Sequence, residues 1–83
     1  MNITTRDEGD TTVVMLNGKL DTNTTPAAES EINALIDAGA SKLLINFEQL
    51  SYISSSGLRL LLATAKRLKR SGGDLQVCSL NEM

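Results

Sequence analysis

Three consecutive serines, Ser54, Ser55 and Ser56, stand before Gly57 and a leucine-rich run. Serines in such a place can cap a helix, attack a carbonyl or carry a phosphate. Nucleophilic attack needs a general base and an oxyanion hole. The chain has no histidine, and no spacing sets Lys19, Asp21 or the carboxylates Asp7, Glu8 and Asp10 beside Ser55. The G-x-S-x-G pattern is also absent, so catalysis is not expected. A cap needs one serine, Ser55 or Ser56, accepting from a first-turn N–H. Three serines and a glycine at a helix start leave several unpartnered N–H donors, a geometry that tolerates an anion.

Helical spacing separates the three. Leu58, Leu61, Leu62, Ala65 and Leu68 recur at intervals of three and four and are expected to form the buried stripe. Four residues back from Leu58 lies Ser54, which is therefore expected to point inward. Ser55 lies one turn from Arg59, on the polar side. Ser55 is the expected phosphate acceptor, Ser56 the expected cap, and Ser56 and Ser54 remain the alternative acceptors.

A second polar cluster is "GKLDTNTTP", Gly18 to Pro26. Asp21, Thr22, Asn23, Thr24 and Thr25 suit a turn closed by side chains on their own backbone. Its functional reading puts these groups at the same sheet edge as Ser55, because both segments follow a strand and precede a helix. The basic residues Lys66, Arg67, Lys69 and Arg70 read as a solvated helix end favoured by the dipole. Cys78, in a strand pattern, is expected to face the core as a small hydrophobe.

The elements that position these residues are legible. Asn2–Arg6 and Thr11–Gly18 read as two strands of a hairpin joined by Asp7 to Asp10, the second ended by Asn-Gly. A helix follows, with Thr25 as N-cap, Pro26 at its first position, Glu29 and Glu31 near the positive dipole end, and Gly39 as the stop. Lys42 to Phe47 is a nearly continuous aliphatic run, expected to be an interior strand buried on both faces. "EQLSYISSS" reads as a connection, Gly57 to Gly73 as the second helix and its stop, and "DLQVCSL" as a final strand. The expected fold is α/β, a mixed four-stranded sheet with both helices on one face.

Eighty-three residues allow one domain, and the only aromatic residues are Phe47 and Tyr52. A net charge of −2 opposes a phosphate backbone and two aromatics give no stacking platform, so direct nucleic-acid binding is not expected. One cysteine permits no internal disulfide, and without histidine no zinc-ligand set is visible. No cofactor or metal is expected. No apolar run approaches the roughly 20 residues that span a bilayer, and a soluble cytoplasmic protein is expected.

The segment "GKLDTNTTP" followed by "KLLINFEQLSYISSSGLRLLLATAKRLKRSGGDLQV" resembles the STAS domain of bacterial anti-sigma factor antagonists, over nearly the whole of residues 1–83. The block from Leu43 to Leu62 is its specific part, with Asn46, the Tyr52-Ile53 step and Ser-Ser-Gly-Leu opening a helix. The resemblance implies a STAS fold, no enzymatic activity, and a binding switch that captures a serine-kinase anti-sigma factor and releases a sigma factor. It implies that the kinase phosphorylates the serine two before Gly-Leu, by position Ser55, and that a serine phosphatase reverses this. It carries Asp21, Thr22 and Asn23 over as partner contacts, beside Ser54, Ser56, Gly57 and Arg59 at the helix entrance. Where the family's best-known form has aspartate before the phosphorylated serine, this chain has Ser54. The family usually adds a further helix after the last strand, and nothing follows "SLNEM"; the aliphatic sheet face around Val77 and Cys78 is thus expected to drive self-association. The alternative is a STAS scaffold or accessory subunit in a stress-sensing or transporter complex.

Overall fold

In a computed structural model the described residues are 1–78. Strands β1 (Asn2–Glu8) and β2 (Thr11–Leu20) are followed by helix α1 (Thr25–Asp37), strands β3 (Lys42–Asn46) and β4 (Leu50–Ile53), helix α2 (Ser55–Arg70) and strand β5 (Asp74–Cys78). The sheet has five strands in the order β1-β2-β3-β5, with β4 also pairing β2. β1 and β2 are antiparallel. All other pairings are parallel, and such strands need long crossovers, which α1 and α2 supply. Ser79 and Leu80, read from the sequence as part of the last strand, lie outside the described residues.

β3 is interior, between β2 and β5. Its alternate residues Leu43 and Ile45 are buried with Val14 and Leu16 of β2. They form one core with Ala28 and Ile32 of α1 and Leu60, Leu61 and Leu68 of α2, so both helices lie on one face. The other face is only partly shielded: Leu44 and Met15 are half-buried, and Val13, though buried, stands outside that core. β3 is therefore not buried on both faces. Strand residues alternate between faces, so Val77, whose register partner is Ile45, lies on the helix side, and Cys78, opposite Asn46, lies on the open side. Val77 and Cys78 do not share one bare surface, and Cys78 is half-buried rather than in the core.

β2 does not end at Asn17-Gly18. It runs on to Leu20 and pairs with a strand inside the segment read as a connection: Gly18 opposite Leu50, Lys19 opposite Tyr52, Leu20 opposite Ile53. Ser51 is the extra residue of this bulge, and its hydroxyl donates to the Gly18 carbonyl at 3.0 Å. Four residues with one bulge carry too little alternation to read as a strand. Both helices stop alike: Ala40 N–H reaches the Leu35 carbonyl and Gly73 N–H the Leu68 carbonyl, around Gly39 and Gly72 at φ 108° and 84°, angles that favour glycine. No helix among the described residues is long and apolar enough to cross a membrane.

The buried side of α2 is rotated from the expected stripe. Gly57, Leu60, Leu61, Thr64 and Leu68 are buried, whereas Leu58 and Leu62 are 51 % and 64 % exposed. Leu60→Ala should therefore lower stability by about 2–4 kcal/mol through the cavity it leaves. Leu62→Ala should change it by no more than about 0.5 kcal/mol. Urea unfolding of the two variants measures both, and the reverse order would restore the stripe through Leu62.

Candidate functional site

The two polar segments meet at the C-terminal edge of the parallel strands, and Leu20 joins them. Its carbonyl accepts from Ser54 N–H at 2.8 Å, while the next residue, Asp21, opens the turn into α1. α2 comes so close here that a Cβ on Gly57 would lie 2.8 Å from Ile53 Cγ1 and 2.9 Å from Leu20 Cγ and Cδ2. Glycine lets the helix start against the ends of β2 and β4 without displacing these side chains.

Each serine then has a different surrounding. Ser54 is the N-cap, extended at φ −90° and ψ 174°, and its Oγ accepts from Gly57 N–H at 3.3 Å. The cap is thus Ser54 and not Ser56, and Ser54 turns to the helix rather than inward, because α2 starts two residues earlier than Gly57. Ser55 is exposed in the first turn, and Ser56 is half-buried. Arg59, one turn beyond Ser55, is exposed. The ion pairs among the described residues, Arg6–Glu8 and Arg67–Asp37, do not use it. A group on Ser55 Oγ would meet solvent and the positive end of the α2 dipole, with Arg59 one turn away.

The turn after β2 is held by its own side chains. Asp21 Oδ1 accepts from Asn23 N–H at 2.9 Å and Thr24 N–H at 3.1 Å. Thr24 Oγ accepts from Asp21 N–H at 2.9 Å and donates to the Lys19 carbonyl at 2.7 Å, and Thr25 Oγ donates to the Asp21 carbonyl at 2.6 Å. Thr24 occupies the N-cap position expected for Thr25, but its hydroxyl, committed to Lys19 and Asp21, makes no cap bond. Glu29 and Glu31 lie beyond the first turn, which has no acidic residue. The scaffolding roles of Lys19, Leu20 and Ser51 were not visible in the sequence, since two of them act through backbone carbonyls. Thr22 and Asn23 are exposed, and Asp21 is half-buried. The Thr24 N–H bond chiefly holds the Asp21 carboxyl below its ordinary pKa of 3.8; partial desolvation opposes this, and Asn23 N–H, the Thr24 hydroxyl and the Lys19 charge assist.

A carboxyl held low stabilises the fold fully above its ordinary pKa, and that contribution is lost as pH falls through the lower folded value. Acid unfolding of Asp21→Asn should accordingly be less steep below 3.8 than that of the parent chain. Gly57→Ala should cost about 1–3 kcal/mol by overpacking and Ser54→Ala about 1 kcal/mol by loss of the cap. Ser55→Ala should stay within about 0.5 kcal/mol. Thermal unfolding followed by circular dichroism ranks the three, and a Ser55 variant as damaging as the Ser54 one would place the cap on Ser55.

The sequence model of the STAS domain matches residues 2–83. The anti-sigma-B factor antagonist of Staphylococcus aureus is 28% identical over 82 residues, which are 99% of this chain and 76% of that protein. BtrV of Bordetella bronchiseptica, provisionally named an anti-sigma factor antagonist, is 34% identical over 68 residues; the match covers 82% of this chain and spans 59% of BtrV. Among solved structures, the anti-sigma factor antagonist SpoIIAA in its unphosphorylated form superposes with a TM-score of 0.83 at 26% identity, over 98% of this chain and 76% of that one. The phosphorylated form of SpoIIAA, a Bacillus cell fate determinant, gives 0.75 at 28% identity, over 99% and 74%.

Proposed function

This chain belongs to the STAS domain family, and on that premise we propose that it is an anti-sigma factor antagonist, a binding protein rather than an enzyme, switched by phosphorylation of Ser55. The observation that carries the reading is the division of labour at the helix entrance. Ser54 makes the cap bond to Gly57 N–H, which leaves the exposed Ser55 hydroxyl available beside Arg59. SpoIIAA, similar over nearly the whole chain, exists in unphosphorylated and phosphorylated forms.

In the unmodified state the exposed Thr22 and Asn23, the ordered Asp21 turn, and the entrance from Ser54 through Ser56 and Gly57 to Arg59 form the surface that captures a serine-kinase anti-sigma factor. Capture frees the sigma factor for transcription, which places the protein in the cytoplasm. The bound kinase transfers the γ-phosphoryl group of ATP to Ser55 Oγ; the hydroxyl proton passes to a kinase base and ADP leaves. The product carries about −2 more charge. A helix start and a cation accommodate that charge within the domain, so the fold persists. At the interface the same charge must be desolvated against the partner, and the complex weakens. A serine phosphatase removes the group by hydrolysis and restores the binding surface.

Incubation with a candidate kinase and ATP, followed by mass spectrometry of the modified peptide, should place one phosphate on Ser55. Ser55→Ala should abolish it, while Ser54→Ala and Ser56→Ala should retain it. Ser55→Asp should bind the kinase about tenfold more weakly, the effect of roughly 1.4 kcal/mol. Unchanged affinity would overturn the switch.

A further inference from the structure

The outward side of α2 combines two features of which the serine site uses Arg59 alone. Leu58 and Leu62 are 51 % and 64 % exposed and stand one turn apart, with half-buried Ala65 one turn further. Arg67 points toward α1, where it bonds Asn33 Oδ1 at 2.8 Å and pairs with Asp37. At about 100° per residue Leu58 and Leu62 fall on the opposite flank. They form a short aliphatic ridge on the side of α2 away from α1.

The second feature is charge. Arg59, Lys66, Arg67, Lys69 and Arg70 are five of the chain's eight basic residues, and α2 contains no acidic residue, although the chain as a whole carries −2. Among the described residues only Arg67 of the five is in an ion pair. The C-terminal dipole accounts for cations in the last turn. It does not account for Arg59 near the other end, nor for exposed leucines beside them.

We propose that this face of α2 docks an acidic amphipathic helix of a partner protein. Apolar residues at i, i+3, i+4 and i+7 of that helix seat on Leu58, Leu62 and Ala65, and flanking carboxylates pair with Arg59, Lys66 and Lys69. Charge selects the occupant. A second copy presenting the same face would set four unpaired cations against four. An anionic lipid surface matches the charge but not the apolar depth, because Leu60, Leu61 and Leu68 are committed to the core and two leucines remain for insertion. Leu58, Leu62, Lys66 and Lys69 keep this surface whether or not Ser55 is modified.

The test titrates the 15N-labelled chain with an 18-residue synthetic peptide having leucine at i, i+3, i+4 and i+7 and glutamate on both flanks. A twin peptide carries lysine at every glutamate. Amide shifts should concentrate at Leu58, Leu62, Ala65, Lys66 and Lys69, with the lysine twin about tenfold weaker. Leu58→Ala with Leu62→Ala, which spares the buried side of α2, should weaken the glutamate peptide by about tenfold. Lys66→Glu with Lys69→Glu should reverse the preference between the peptides. Circular dichroism checks that each variant folds. Shifts centred elsewhere, equal binding of the twins, or no saturable binding by either would overturn the proposal. So would binding to phosphatidylglycerol vesicles without binding the glutamate peptide, or a dimer in sedimentation that Leu58→Ala with Leu62→Ala abolishes.

Discussion

At the edge where the two polar segments meet, Gly57 lies against the side chains of Leu20 and Ile53, and the start of α2 is built around that contact. Any larger residue would set a Cβ 2.8 Å from Ile53 Cγ1 and force the neighbouring side chains to shift. With the helix start pressed there, Ser54 N–H reaches the Leu20 carbonyl, and its side chain is placed to cap. Ser55 then falls outside, because the contact has used the inner side of the first turn. The absence of a Cβ at Gly57 thereby helps set which serine caps and which faces solvent.

The same geometry would let a domain of 83 residues take the change of charge that the proposed switch requires. Such a chain buries a limited fraction of its surface and has little stability to spare. A phosphate on a core-facing or capping serine would remove a hydrogen bond or burial on which the fold depends. On Ser55 it would meet the helix dipole, with a cation one turn away. The neighbouring turn is held by hydrogen bonds among Asp21, Asn23, Thr24 and Lys19. A partner docking there would meet a surface already ordered, and association would cost less conformational entropy.

What the sequence showed and what it hid follow from which interactions are local. The exposed Ser55, the turn after Lys19, the interior β3, the Gly39 stop and the gathering of two loops at one edge were readable, since each rests on residue type or on short-range order. The buried side of α2 was not. Leu58, Leu60, Leu61, Leu62, Ala63, Ala65 and Leu68 nearly encircle the helix, so spacing alone admits two stripes, and the tertiary contact at Gly57 selects between them. β4 escaped for a related reason: Leu50–Ile53 becomes a strand through pairing with β2, about thirty residues away in the chain, and has little intrinsic pattern. The cap moved from Ser56 to Ser54 because the first residues of α2 are polar and carry no periodicity by which to judge its start.

The parallel pairings carry a consequence for how the protein comes into being. Apart from the β1–β2 hairpin, every strand pairing joins segments separated by a helix, so loop closure must precede most of the stabilising contacts and the chain depends on high-contact-order topology. The segment around Ser55 depends on the pairing of β4 with β2, which sets Leu20 beside the start of α2. The start of α2 is held by the bond from Ser54 N–H to the Leu20 carbonyl, so the form of this edge rests on long-range pairing rather than on the local sequence.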